Sequence, residues 1–224
     1  MALMAGALLA AEKDDVQAAA KKLGTVENYS WKATVEGGFG GGATEGKTEK
    51  SGTTWLSMPR GDNTTVAVLK GGKGAIKTEE GWKSLAEMAE AGGGGGQGNF
   101  AGFMARRLQT YKMPAAEAAD LAEKAKDLKK DGDAITGEMT EEGAKALMTF
   151  RLGGNNAGPT ISGAKGSVKF WVKDGVLTKY QFNVKGSMKF QDNDRDIDRT
   201  TTVEIKDVGA TKVEVPEEAK KKIS

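Results

Sequence analysis

The stretch GSVKFWVKDGVLTKYQFNVKGSM, residues 166–188, decides the fold, because apolar and polar residues alternate on both sides of a turn. Such alternation is typical of strands that are half buried in a sheet. A two-residue turn at Asp174-Gly175 would place Phe170 beside Lys179 and mix the two faces. We therefore predict a three-residue loop at 173–175 with Gly175 in the left-handed conformation. This register puts the apolar side chains on one surface by pairing Val172 with Val176, Phe170 with Thr178, and Val168 with Tyr180.

The rest of the chain supplies more strands and a helical insertion. Alternation predicts strands at 29–36, 53–58, 63–70, 73–78, 82–83, 134–139, 199–206 and 212–215. Helical spacing predicts helices at 14–23, 85–91, 100–111, from Pro114 to Leu128, and at 141–148 with Thr140 as N-cap. We predict flexible connections at 37–52 and 92–98 and a charged tail after Pro216. The order favours an α+β fold: a curved antiparallel sheet covered by helices, in a single domain at 12–224.

Composition removes most of the usual catalytic and metal-binding groups. The chain has 33 basic and 31 acidic residues, a net charge of +2, no histidine and no cysteine. The small net charge and the lack of a dense basic stripe argue against nucleic acid as a partner. Imidazole bases, thiolate nucleophiles and His/Cys metal sites are excluded. The sequence therefore predicts no enzyme, no catalytic residue, no cofactor and no metal site.

The first eleven residues, MALMAGALLAA, are apolar and are followed abruptly by charged residues. This resembles the apolar region and cleavage zone of a secretory signal peptide, so we predict that residues 1–11 are a signal-peptide remnant of a periplasmic or otherwise exported protein. The alternative is an apolar start to the first helix. The stretch is too short for the ~20 residues that span a bilayer, and we predict no transmembrane segment.

One acidic run has a partial metal-binding pattern. Residues 192–198 carry a carboxylate at every second position, as the beginning of a calcium loop does. Ile197 stands where that loop needs Gly, and Val203 stands where it needs a bidentate Glu. A solvated hairpin tip is the preferred interpretation.

Bulky apolar residues are the candidates for a ligand site. Four of them, Trp31, Phe170, Tyr180 and Phe182, occupy the apolar faces of predicted strands. Three more, Phe100, Phe103 and Met104, lie on a predicted helix that follows the glycine run at 92–96. These seven residues either form an ordinary core or line an apolar cavity with a helical cover. The two interpretations remain open from the residues alone.

The chain also resembles the LolA/LppX-like superfamily of lipoproteins and lipid carriers of the bacterial envelope. The resemblance is carried by NYSWKATVE at 28–36, TEEGW at 78–82, AITGEMTEEGAKALM at 134–148, the hairpin KFWVKDGVLTKYQF, and IKDVGATKVEVPEEA at 205–219. It implies an exported protein with a curved half-barrel whose concave side is plugged by helices and holds acyl chains. This chain lacks the cysteine of the lipoprotein members, and no ligand contact is transferred.

These observations together predict a non-enzymatic exported protein that binds a lipid, an acyl chain or a lipidated partner in an apolar concave cavity. The alternative is a structural or protein-interaction module of the cell envelope whose core is filled by its own side chains and which pairs with an envelope protein through an edge strand.

Overall fold

The computed structural model describes residues 2–38, 42–91, 97–149, 159–190 and 193–224. Within these ranges the chain forms six helices and eleven strands. The helices are α1 (Ala2–Leu23), α2 (Leu85–Ala91), α3 (Gln97–Gln109), α4 (Pro114–Lys124), α5 (Glu141–Met148) and α6 (Glu217–Ile223). The strands are β1 (Asn28–Gly37), β2 (Gly42–Glu49), β3 (Thr54–Arg60), β4 (Asn63–Lys70), β5 (Lys73–Thr78), β6 (Gly81–Ser84), β7 (Ala125–Asp131), β8 (Ala134–Met139), β9 (Thr160–Lys173), β10 (Val176–Phe190) and β11 (Asn193–Lys206).

The strands follow the order β6-β5-β4-β3-β2-β1-β11-β10-β9-β8-β7, which is linear and unclosed. The predicted α+β class, with helices packed on a large antiparallel sheet, is confirmed. The chain divides into two compact units. Unit 1 comprises Met1–Thr25, Ala33–Gly41 and Met113–Ile205, and unit 2 comprises Val26–Lys32, Gly42–Lys112 and Lys206–Ser224.

Five elements have the bounds that the sequence predicts, namely β4, β5, β8, α2 and α5. The predicted cap of α5 is also confirmed, because Thr140 Oγ1 accepts a hydrogen bond of 3.0 Å from Gly143 N. The first helix begins earlier than predicted, at Ala2, so the apolar stretch at 2–11 is helical. Among the described residues, no helix combines the length and the apolar character that a bilayer crossing requires.

The predicted hairpin loop at 173–175 is wrong, because the turn has two residues. Lys173 pairs with Val176, and Asp174 and Gly175 have φ angles of 55° and 71°. Positive φ at both central residues is the signature of the tight turn that matches strand twist, and Asp and Gly tolerate it. The mixing of faces expected from this turn does not occur, because the register shifts between Leu177 and Lys179.

This shift is a bulge at Thr178, whose Oγ1 donates a 3.1 Å hydrogen bond to the carbonyl of Trp171. One extra residue on β10 rotates the following side chains to the opposite face. Tyr180 then lies opposite Phe170, and Phe182 lies opposite Val168. The bulge therefore restores the single apolar surface that the sequence predicts.

Unit 1 buries one face of this hairpin beneath helices. Phe170 and Tyr180 are fully buried, and strands β9 and β10 contact α1 and α5. Tyr180 donates a hydrogen bond of 2.5 Å to Glu117 Oε2 on α4. The opposite face is polar or half exposed, and there the ammonium of Lys179 lies 5.0 Å from the Trp171 ring centroid. The sheet in unit 1 is thus one-sided, as the alternation predicts.

Strand β2 lies where a flexible connection is predicted at 37–52, so that prediction is wrong for 42–49. The strand was missed because it is polar and contains glycines. Gly46 has a structural reason: a Cβ at this position would lie 2.1 Å from Trp31 Cζ2. The indole of Trp31 occupies the space that a side chain at Gly46 would need.

Two further predictions are wrong near element ends, and the charged tail is helical. Helix α4 ends at Lys124, so Leu128 lies on β7, where it is buried. Residues 212–215 are irregular rather than a strand, and the predicted charged tail forms α6, in which Ala219 and Ile223 are buried. Spacing of four residues places these two on one face of a helical turn.

The acidic run predicted as a hairpin tip belongs to β11 from Asn193 onward. Its alternating carboxylates face basic or polar partners on β10, because Asp194 pairs with Lys189, Asp196 with Ser187 and Asp198 with Lys185. A hydrogen bond from Asn183 and the Lys185 ammonium, 2.9 Å away, hold the pKa of Asp198 below its usual value. Cross-strand pairing therefore accounts for the alternation.

Unit 2 carries helices on both faces of its strands. Val68, Ala75 and Trp82 form a buried cluster with Ala219 and Ile223 of α6. The neighbouring residues of β4 point to the other face. There Leu69 and the side chain of Leu85 from α2 crowd Gly74, and α2 packs against α3.

An ion pair joins α6 to α2 in unit 2. Lys222 Nζ lies 2.7 Å from Glu87 Oε1. Glu87 also forms a capping box with Ser84, since its carboxylate accepts from Ser84 N at 2.6 Å and its amide donates to Ser84 Oγ at 3.2 Å. Hydrogen bonds from Lys222 and then from Ser84 lower the pKa of Glu87 to about 2.

Replacing Asp174 by Val should lower the free energy of unfolding by about 1–2 kcal/mol, because a β-branched residue is strained at positive φ. Asp174→Gly is the control and should be at least as stable as the wild type, since glycine adopts this conformation freely. Urea unfolding followed by circular dichroism measures both. Equal stability of Asp174→Val and wild type would contradict the two-residue turn.

Replacing Gly46 by Ala should destabilise the protein by about 1–3 kcal/mol, because the added methyl group collides with the Trp31 ring. Gly42→Ala on the same strand is the matched control, since a Cβ there has no neighbour within 4 Å. Thermal unfolding of the two variants gives the comparison. Similar melting temperatures for both would show that Trp31 does not lie over Gly46.

Acidification should weaken the link between α6 and α2. Because the folded-state pKa of Glu87 is depressed to about 2 from 4.5, its stabilising effect is complete above about pH 4.5 and is lost as the pH falls toward 2. Urea unfolding between these pH values should therefore show a smaller pH dependence for Glu87→Gln than for the wild type. Glu90→Gln, an exposed position on the same helix, should behave as the wild type. An unchanged pH dependence in Glu87→Gln would refute this role.

Candidate ligand-binding site

A groove of about 810 Å³ lies within unit 2 and is named here the Trp55 groove. Its volume falls within the range of roughly 300–1,000 Å³ that is usual for small-molecule sites. Strands β2 and β3 form its floor, and the irregular segment before α6 forms its wall. The lining residues are Lys47, Trp55, Ala210, Lys212, Glu214, Val215 and Pro216.

The floor is aromatic and continues the buried cluster under α6. Lys47 and Trp55 are direct partners in the register of β2 with β3, so they share one face of the sheet. The Trp55 ring packs edge-on against Trp82, with ring centroids 6.1 Å apart and an interplanar angle of 60°. Trp55 and Val215 are partly buried against the cluster that α6 covers. The floor therefore has a fixed aromatic surface with part of it open.

Hydrogen bonds to neighbouring strands hold the wall of the groove. The amide of Gly209 donates to Asn28 O at 2.9 Å, that of Thr211 to Asn28 Oδ1 at 2.7 Å, and that of Val213 to Glu49 Oε1 at 3.3 Å. Every second residue is thus anchored to β1 or β2. The residues between them, beginning with Ala210 and Lys212, line the groove.

The charged residues of the groove differ from those around it. Near the groove, Lys32 lies 3.4 Å from Glu45, and Lys50 lies 2.9 Å from Glu27. Lys47, Lys212 and Glu214 are exposed, and within the described part of the chain none of the three has an ion-pair partner. The groove thus joins an apolar floor to two ammonium groups and one carboxylate that are available to a ligand.

Three of the residues predicted to line a cavity lie together in unit 1. Phe170 and Tyr180 are fully buried and Phe182 is 5% exposed, on the strands that pack beneath the helices. They belong to the buried interior of unit 1, and none of them lines the cavity described there between α1 and the strands β8 and β9.

The other four lie in unit 2. Trp31 is 2% exposed, and its Nε1 is buried without a hydrogen-bond partner among the described residues. Met104 of α3 is buried and Phe103 is half buried. Phe100 lies on α3, but its side chain is outside the described part. That these residues line one cavity with the unit 1 aromatics stays a prediction.

A smaller cavity of about 340 Å³ lies in unit 1 between α1 and the strands β8 and β9. Glu12, Asp15, Lys130 and Asp133 contribute charged side chains to it. Glu12 Oε2 is buried there without a hydrogen-bond partner. Throughout the described residues, no cluster of three or more potential metal ligands occurs.

Sequence reasoning did not find the Trp55 groove, although it placed Trp55 on a strand. The floor requires β2, but the sequence predicts a flexible connection there. Without this strand, nothing indicates that Lys47 lies opposite Trp55. The wall was read as a strand at 212–215. The combination of Pro216 with the helical spacing of Ala219 and Ile223 is the signal that indicates a loop followed by a helix.

Comparison with known proteins finds similarity in structure only. No protein-family model matches the sequence, and no curated protein matches it. Among solved structures, the chain is similar to the lipoprotein LppX of Mycobacterium tuberculosis, with 10% identity, a TM-score of 0.47, and coverage of 92% of this chain and 98% of that one.

Two further solved structures are similar at comparable coverage. LprF of Mycobacterium bovis has 12% identity and a TM-score of 0.44, over 93% of this chain and 97% of that one. A LolA-superfamily protein of Nitrosomonas europaea has 7% identity and a TM-score of 0.30, over 89% and 94%. Proteins of the superfamily named from the sequence thus occur among the similar solved structures, and the similarity concerns the fold.

Proposed function

We propose that this protein is non-enzymatic and binds a lipid or an acyl chain. We further propose that the bound acyl chain lies in the Trp55 groove. The periplasmic or otherwise exported location and a lipidated partner are part of the same proposal. The location is supported by the apolar run at residues 1–11. A lipidated partner belongs to the proposal because it would present the same kind of acyl group to the groove.

The observation that carries the proposal is the open aromatic floor of the groove. Trp55 is fixed by Trp82 on one side and remains partly exposed on the other, next to Val215 and Pro216. An acyl chain has no polar group to be matched, so a flat apolar surface with an anchored wall is sufficient to bind it. Covering roughly 50 Å² of apolar surface on the groove and a similar area on the ligand would contribute about 2–3 kcal/mol before the costs of ordering the ligand.

The interaction module remains the second candidate, because one observation favours it. In unit 1 the aromatic face is filled by the protein's own helices, as a self-filled core requires. The sequence predicts that such a module pairs with its partner through an edge strand. The features of the terminal strand β7 argue against this pairing. This strand carries Lys126, Lys129 and Lys130, and Asp127 has a φ of 54° at a register shift. Lysines and bulges are the features by which edge strands avoid pairing with other chains.

Replacing Ala210 by Trp should abolish saturable binding of a fluorescent acyl probe. Ala210 is exposed on the wall, so a large side chain there fills the groove without disturbing the core. Ala210→Ser is the matched control and should bind as the wild type. Fluorescence titration measures binding, and mass spectrometry of organic extracts identifies any lipid that co-purifies.

Two results would argue against this proposal in different ways. Absence of saturable binding in the wild type, with no lipid in the extracts, would remove acyl binding altogether and favour the interaction module. If Ala210→Trp binds normally and Phe103→Ala binds weakly, the ligand lies at the interior residues predicted from the sequence and not in the Trp55 groove.

A further inference from the structure

We infer that the Trp55 groove selects a single-chain fatty acid, with its carboxylate held by Lys47 and Lys212 and its chain lying on Trp55. This inference rests on the proposed function and adds the chemical class of the ligand. It follows from the position, number and pairing of the charged groups around the groove.

The position of the two lysines is set by hydrogen bonds and register. Lys47 is opposite Trp55 across β2 and β3, so its side chain rises from the same face as the indole. Lys212 precedes Val213, whose amide donates to Glu49, two residues from Lys47 on β2. Lys47 on β2 and Lys212 beside it therefore both line the groove next to Trp55.

The pairing of nearby charges leaves these two ammonium groups for a ligand. Two nearby lysines, Lys32 on β1 and Lys50 directly after β2, have carboxylate partners at 3.4 Å and 2.9 Å. Lys47 and Lys212 have no such partner in the described ranges. An anion between them would make charge-assisted hydrogen bonds, which are stronger than neutral ones.

The number of charges favours a carboxylate over a phosphate. Two lysines and Glu214 give the groove a formal charge of +1, which one carboxylate neutralises. A phosphate monoester carries up to about two negative charges near pH 7. It would leave the groove with excess negative charge beside Glu214. The groove volume of about 810 Å³ also suits one acyl chain better than the several chains of a membrane lipid.

Titration with laurate and with monolaurin, which share one acyl chain and differ in the head group, tests the inference. Laurate should bind at least about tenfold more tightly than monolaurin, and its affinity should fall as the salt concentration rises. Lys47→Gln and Lys212→Gln should each weaken laurate binding roughly threefold to tenfold and leave monolaurin binding unchanged. Lys70→Gln, an exposed lysine of β4 outside the groove, is the matched control.

Glu214→Gln provides a change in the opposite direction, because removing its negative charge should strengthen laurate binding. Equal affinity for laurate and monolaurin, with no effect of the lysine variants, would overturn the carboxylate assignment and leave acyl binding in place. Tighter binding of lauryl phosphate than of laurate would overturn the preference for a carboxylate. If neither laurate nor monolaurin binds, both this inference and the proposed function fail.

Discussion

The register between β2 and β3 is the constraint on which the candidate site depends. A strand presents successive side chains to opposite faces, so a shift of one residue would move Lys47 and Trp55 to different sides of the pair. With Gly46 opposite Leu56 and Lys47 opposite Trp55, one face of β2 receives the Trp31 indole and the other forms the floor of the groove. Gly46 and Lys47 therefore lie on opposite faces of the same short strand.

The two units differ in how they bury their strands, because unit 2 has helices on both faces and unit 1 has them on one. In unit 2, Trp55 and Trp82 lie on the same face of the sheet as Val68. Helix α6 shields part of this face from solvent. The cover is short, so the end of the aromatic floor beyond α6 remains open as the Trp55 groove. In unit 1 the helices α1 and α5 contact the central hairpin, and Phe170, Tyr180 and Phe182 are buried. The ligand site we propose is therefore found where the helical cover ends.

Sequence patterns predicted the elements whose signals are local. Strand β4, with its run of Val66, Ala67, Val68 and Leu69, and helix α5, with Thr140 as its cap, have the predicted bounds because alternation and capping act within a few residues. Strand β2 could not be predicted this way. Its Gly46 is required by the Trp31 ring, which lies on another strand. The hairpin turn failed for a similar reason: a bulge at Thr178 corrects the faces after the turn, and a period-two pattern does not include extra residues.

The seven residues predicted for a cavity were selected for size and apolar character, and these properties do not distinguish a core from a ligand site. The Trp55 groove forms where an irregular segment packs beside β2 and β3, and this packing is a tertiary property. Intermolecular nuclear Overhauser effects between laurate and the protein test the central claim most directly. We predict contacts from the acyl methylene protons to the Trp55 indole and to the methyl groups of Val215. Contacts confined to Phe170, Tyr180 or Phe182 would contradict it.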